Sequence, residues 1–257
     1  MTIEVLNVSK AFGGVAALDR CSLTIADGAI TGLIGPNGAG KTTLFNIIAG
    51  VQRPDEGRVL LGGVDITALA PHRRFHLGIV RTFQVPHEFA RMTVRENLMV
   101  VPPHQLGENL FAAWLRPAAV AAQDRCIAER ADEVLDFLNL GDLASEPAGI
   151  LSGGQKKLLE LGRTMMTDAR VVLLDEPGAG VNRTLLASLT DAIVRLNRER
   201  GYSFCIIEHD MDLVAELCDP VVVMVHGHIL ASGTMAEIRR NPEVLEAYFG
   251  TRTEAAS

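Results

Sequence analysis

At 257 residues, 48% of them hydrophobic and 21% charged, the chain has enough apolar mass for one α/β domain carrying an insertion. Its 24 basic against 31 acidic side chains give a net charge of −7, which offers no basic footprint for nucleic acid. No run approaches the roughly 20 uncharged apolar residues of a membrane span. Nothing at the N terminus resembles a signal peptide, and Cys21, Cys126, Cys205 and Cys218 lack metal-type spacing, so a reduced cytoplasm is the expected setting.

In chain order, the first chemical signal follows an apolar run. Ala29-Ile30-Thr31-Gly32-Leu33-Ile34 predicts a buried strand, and Gly35-Pro36-Asn37-Gly38-Ala39-Gly40-Lys41-Thr42 fits G-x-x-x-x-G-K-[ST]. In such a loop the glycines turn backbone N–H groups inward around a β-phosphate. Lys41 reaches the β/γ-phosphates, and the Thr42 hydroxyl can ligate Mg²⁺. A helix is expected over 43–49, opening at Thr43, with its N-terminal dipole added to the anion site.

Residues from about 85 to 165 read as mainly helical. Within them 110–122 is apolar, but Arg116 and Pro117 interrupt it, which predicts a surface or packed helix. Leu151-Ser152-Gly153-Gly154-Gln155 then opens a further helix: Ser152 is a good N-cap, and Leu158, Leu159, Leu161, Met165 and Met166 form one apolar face. Free N–H groups at such a capped end suit a γ-phosphate. Val171-Val172-Leu173-Leu174 predicts a buried parallel strand ending in Asp175 and Glu176, the first able to hold Mg²⁺ through water and the second to polarise an attacking water. Ile206-Ile207 predicts another such strand, with His209 leaving it at the same edge as Glu176. The expected architecture is one domain, 1–257. Residues 1–84 and 166–257 form an α/β core with a mainly parallel sheet, and about 85–165 form a helical subdomain.

The set Lys41, Asp175, Glu176 and His209, together with Leu151-Ser152-Gly153-Gly154-Gln155, resembles the ATP-binding cassette (ABC) ATPases over nearly the whole chain. That resemblance implies a P-loop NTPase (RecA-like) core, an antiparallel N-terminal β subdomain and a helical insertion bearing the signature motif. It implies ATP and Mg²⁺ as ligands, with the metal at Thr42, Gln84 and Asp175. Glu176, His209 and Gln84 take catalytic places; the last occupies the Q-loop in Arg81-Thr82-Phe83-Gln84. Phe12 falls where the family stacks an aromatic on adenine, and Asn182 where many members carry the D-loop aspartate. Ser152, Gly153, Gly154 and Gln155 face the phosphate loop of a different subunit in this family. One loop and one signature therefore supply half of each of two composite sites, and a second homologous ATPase subunit or a homodimer is implied. Two membrane-spanning permease subunits, an indirect solute-binding protein and a place on the cytoplasmic face of the inner membrane follow from the same resemblance.

Within the family the chain is most similar to the ATP-binding subunit of branched-chain amino acid importers. That likeness is carried by Phe12-Gly13-Gly14, Val80-Arg81-Thr82-Phe83-Gln84, Met92-Thr93-Val94-Arg95-Glu96-Asn97-Leu98, Ala179-Gly180-Val181-Asn182, Glu208-His209-Asp210-Met211, Ile238-Arg239-Arg240-Asn241-Pro242 and Ala247-Tyr248-Phe249-Gly250. The segment between Leu98 and Asp132 resembles that group's extended insertion. The signature matches the general consensus of the family, which leaves an amide, urea or other amino-acid-like cargo open. The ATPase of lipopolysaccharide export and a soluble ABC ATPase without a transport role are the other readings.

Overall fold

A computed structural model describes residues 1–82 and 87–249. Strands β1 (Ile3–Phe12) and β2 (Val15–Ile25) form a hairpin, and β3 (Ile30–Ile34) feeds helix α1 (Lys41–Ile48). Strands β4 (Glu56–Leu61) and β5 (Val64–Asp65) complete an antiparallel sheet in the order β2-β1-β4-β5. Along β2, Cys21, Leu23 and Ile25 are buried while Ser22 and Thr24 are exposed, the two-residue period of a sheet with one covered face.

Helix α2 (Pro71–His76) leads into β6 (Ile79–Arg81). Four helices follow: α3 (Val94–Met99), α4 (Leu110–Leu115), α5 (Pro117–Phe137) and α6 (Gly153–Met165). The chain then alternates through β7 (Val171–Asp175), α7 (Arg183–Arg200), β8 (Ser203–Ile207), α8 (Met211–Leu217) and β9 (Val221–Val225). It closes with β10 (His228–Gly233), α9 (Met235–Ile238) and α10 (Pro242–Phe249). Six strands form the second sheet in the order β10-β9-β3-β8-β7-β6, parallel except for the β10–β9 pair.

The central strands β3, β7 and β8 are buried at every residue, as a parallel sheet covered on both faces requires, and their sequences are correspondingly near-continuous apolar runs. One apolar cluster joins Ile3, Val5 and Val59 of the first sheet, Leu44, Phe45 and Ile48 of α1, and Leu33, Leu173 and Ile207 of the second. Helix α1, which carries the phosphate-loop lysine at its start, is thus fixed by apolar burial from both sheets.

Contacts divide the chain into two units. The first holds 1–84, 170–179 and 194–257, with both sheets; the second holds 85–169 and 180–193. Residues 166–169 and 180–193, expected with the core, therefore group with the helical unit. Close packing accounts for part of this: a Cβ on Gly154, near the start of α6, would lie 2.6 Å from Leu185 Cδ1 and 3.0 Å from Val181 Cγ1. The apolar stretch 110–122 is broken at Arg116 into two helices, α5 opening on Pro117, where a proline's missing N–H costs nothing.

Candidate functional site

Parallel register sets the site. Leu33 pairs with Ile207, and Ile207 with Asp175, so β3, β8 and β7 end level with one another. The residues that follow each strand leave the carboxyl edge together: Gly35 to Thr42 after β3, Glu176 after β7, and Glu208 with His209 after β8. This edge is where open α/β sheets bind ligands.

The loop after β3 is built on close backbone approach. A Cβ on Gly35 would sit 2.0 Å from the Met224 carbonyl oxygen, and one on Gly40 2.4 Å from that of Ala17. Their φ angles, 153° and 101°, are also ones that L side chains rarely adopt. Gly40 caps α1 without a side-chain acceptor, so the first-turn N–H groups are left to an incoming anion. Lys41 is buried, and its Nζ donates to the carbonyls of Gly35 at 2.7 Å and Pro36 at 3.0 Å. Burial lowers its pKa, while the carboxylates of Glu176 and Asp175 oppose the shift.

Glu176 stands at φ 50°, in the left-handed region that a non-glycine residue seldom occupies, with its N–H donating to the Ile207 carbonyl at 2.9 Å. Its Oε1 lies 3.1 Å from Nε2 of His209. A polar cleft of 220 Å³ is lined by Ala17, the loop from Asn37 to Thr43, Glu176 and His209. The structure thus brings together Asn37, Gly38, Ala39, Gly40, Lys41, Thr42, Thr43, Glu176 and His209. Asp175 lies behind them, buried and paired with Arg81 at 3.0 Å.

Two residues behind the cleft and one in the helical unit were given no role by the sequence reading. Arg81 bridges Asp175 and also donates to Asn46 Oδ1, tying the end of β7 to α1. Buried Glu208 accepts the N–H of Gly178 at 2.6 Å and that of His209 at 3.1 Å, fixing the backbone on either side of the Glu176–His209 contact. Asn97, buried in the helical unit, accepts from Phe89 N–H and donates to the carbonyls of Phe89, Met92 and Thr93. Arg163 of α6 donates to Asn97 and to the His87 carbonyl, and Lys156 pairs with Glu88 at 2.7 Å. The signature helix is thereby bound to the segment that resumes at His87. Gln84 lies outside the described residues.

Phe12 is 45% exposed at the tip of the β1–β2 hairpin, so it is not a core residue, and Lys10 Nζ stands 5.6 Å from its ring centroid. It is not among the residues lining the cleft. Ser152 and Gln155 form a reciprocal capping box at the head of α6: Ser152 N–H donates to Gln155 Oε1 at 2.9 Å, and Gln155 N–H to Ser152 Oγ at 3.4 Å. Ser152 and Gly153 are exposed and Gly154 is buried. Asn182 serves as a cap of α7, accepting from the N–H of Leu185 at 2.9 Å.

A glycine-cradled loop at the edge of a parallel sheet, with a buried lysine opposite a paired carboxylate and histidine, defines the phosphate-loop class of nucleotide-binding proteins. The family described as ABC transporter matches residues 18–179, and the one described as branched-chain amino acid ATP-binding cassette transporter matches 228–254. A probable branched-chain amino acid transport ATP-binding protein LivG of Archaeoglobus fulgidus is 43% identical, covering 97% of this chain and 96% of its own length. The high-affinity branched-chain amino acid transport ATP-binding protein BraF of Pseudomonas aeruginosa is 39% identical over 96% of this chain and 97% of its own. A crystal structure of a nucleotide-free ATP-binding cassette from an ABC transporter superposes with a TM-score of 0.82 at 38% identity, over 97% of this chain and 100% of that one. The chain belongs to the ABC transporter family, as one of its ATP-binding cassettes.

Proposed function

We propose that the chain hydrolyses ATP to drive an importer of branched-chain or chemically related amino acids, from the cytoplasmic face of the membrane. It works there with a second ATPase subunit and two permease subunits that receive cargo from a solute-binding protein. One observation carries the enzymatic part: Lys41, Glu176 and His209 converge on a single polar cleft at the carboxyl edge of the sheet. The cargo is supported by the match of residues 228–254 and by the names of the relatives.

The residues fit the substrate and its metal. Two glycines hold the loop where a Cβ would strike backbone, the buried lysine faces phosphate charge, and the exposed Thr42 hydroxyl and the Asp175 carboxylate supply oxygen donors of the kind Mg²⁺ takes. Held by these donors, Mg²⁺ would supply neutralising charge to the phosphates. Lys41 binds those phosphates, and Phe12 stacks on the adenine. Glu176 accepts the proton of the attacking water, and His209 holds the Glu176 carboxylate toward it. Gln84 senses the metal and the γ-phosphate and passes that state to the permease. Ser152, Gly153, Gly154 and Gln155, with Asn182 next to the Val181 that approaches Gly154, complete the site of the partner subunit, because a capped helix end offers N–H donors to a γ-phosphate.

Replacing Glu176 by Gln tests the composite site. The amide keeps the shape but is a poor base, so ATP binds, the two cassettes close and hydrolysis stalls. Size-exclusion chromatography with ATP in the absence of Mg²⁺ is expected to show a stable dimer, of this chain with itself or with a homologous ATPase. A variant that stays monomeric in both mixtures rules out the sandwich, and one that turns over at the wild-type rate rules out Glu176 as the base.

A further inference from the structure

Helix α4 in the insertion has its side chains the wrong way round for a free surface. Leu110, Phe111, Trp114 and Leu115 are 85%, 76%, 81% and 66% exposed; of the two alanines between them Ala113 is exposed as well and Ala112 half-buried. At 100° per residue the four large side chains share one face of about 140°, so the helix turns its bulk outward. It is held in that pose. The Asn109 side chain accepts from the N–H groups of Phe111 and Ala112, and Gln123 of α5 accepts from Leu106 N–H and donates to the His104 carbonyl. Gln105 donates to the carbonyls of Met99 and Pro102. These bonds fix the segment that leads into α4 and the helix's own first turn.

We propose that α4 is an interfacial anchor, laid against the surface of a phospholipid bilayer beside the transporter's membrane subunits. The inference rests on the transport reading above, which places a membrane within reach of this cassette. Three features favour lipid over a protein surface. From Leu110 to Ala122 the only charged side chain is Arg116, a cation in a chain of net charge −7, which suits anionic headgroups. The same stretch offers one guanidinium and one indole N–H as its polar side-chain groups, too few to fix the register of a protein partner, whereas a fluid apolar layer requires no register. Tryptophan with phenylalanine and leucine on one face is the apolar side of a helix that lies in the interface rather than crossing it, and Arg116 at its end supplies the cation. Among the described residues no helix is long and apolar enough to span.

Trp114 is the single tryptophan of the chain, so its fluorescence reports on α4 alone. The full chain is titrated with vesicles of phosphatidylethanolamine and phosphatidylglycerol. The anchor predicts a blue shift, and quenching by lipids brominated along the acyl chain. Replacing Leu110, Phe111 and Leu115 together by Ser is expected to lower vesicle binding roughly tenfold or more, with ATP hydrolysis in lipid-free solution unchanged. An emission maximum unmoved by excess vesicles overturns the proposal. So does a shift that requires permease subunits in the vesicles, which makes α4 a protein-docking face, or lipid-free self-association that the triple variant abolishes, which makes it a contact between copies. Permease-stimulated ATP hydrolysis is scored separately: its failure with vesicle binding intact counts against the transport reading and leaves the anchor standing.

Discussion

Phe12 shows how one side chain's exposure separates two roles that the sequence leaves open. A phenylalanine beside an N-terminal strand is an ordinary core residue, yet this one is half exposed at a hairpin tip, with the Ala11 N–H and the Lys10 ammonium just before it both bound to Asp55. The ring itself is exposed, with the Lys10 ammonium 5.6 Å from its centroid. Phe12→Ala is expected to weaken ATP binding by roughly 1–3 kcal/mol, the range for base stacking on an aromatic, with near-normal turnover at saturating ATP. Titration with a fluorescent ATP analogue checks it, and unchanged affinity removes the stacking role. Glu176 is the complementary case. Its place at the end of a buried strand is legible from an apolar run ending in two acids, but its left-handed backbone is visible only once the Ile207 carbonyl is seen to hold its N–H.

At the scale of the element, α1 is the helix whose two ends matter most. Its N-terminus opens on the phosphate loop, and its C-terminus is closed by an arginine from α2. Arg74 is 1% exposed and donates to the carbonyls of Ile47 at 2.6 Å, Ile48 at 2.8 Å, Thr67 at 2.9 Å and Leu69 at 3.1 Å. Burial pulls its pKa down to about 10, still well above neutrality, so the guanidinium keeps its charge against the negative end of the helix dipole. Arg74→Leu strands those carbonyls in an apolar interior and is expected to cost on the order of 3 kcal/mol. Arg74→Lys recovers only part of that, because one ammonium cannot reproduce a planar fork that spans four acceptors. Urea unfolding of the two variants checks both the loss and its order; equal stability of Arg74→Leu and the wild type means that the arginine is not the cap.

For the molecule as a whole, four cysteines sample the interior and the surface. Cys21 and Cys218 are buried, and burial pushes their thiols up to about 12; Cys205, also buried, is raised further. Cys126 is exposed on α5. Since the thiolate is the reactive form, the native protein should react quickly with a chromogenic disulfide at one thiol per chain. The other three should appear only at the rate of unfolding. Cys126→Ser should remove the fast phase; two or more fast thiols mean that the sheet core opens more readily than its burial indicates.

The sequence by itself determined the parts whose logic is local. The phosphate loop, the capped signature helix and the buried strands before Gly35, Asp175 and Glu208 were readable, because spacing along one segment fixes which backbone groups and side chains meet. Tertiary structure alone decided the pairings that span the chain: Arg81 with Asp175, Arg74 with the end of α1, Glu208 with Gly178, and Arg163 with Asn97. A charged residue in a sequence carries no mark of whether it will face water or a buried carbonyl, so the partner of each was not readable. The same limit applied to 110–122. Composition showed an apolar stretch broken at Arg116, but the direction of each side chain depends on what the helix rests upon. Among its alanines only Ala112 is even half-buried, and the large side chains stand outward, so the surface helix that the stretch predicts carries an exposed apolar face.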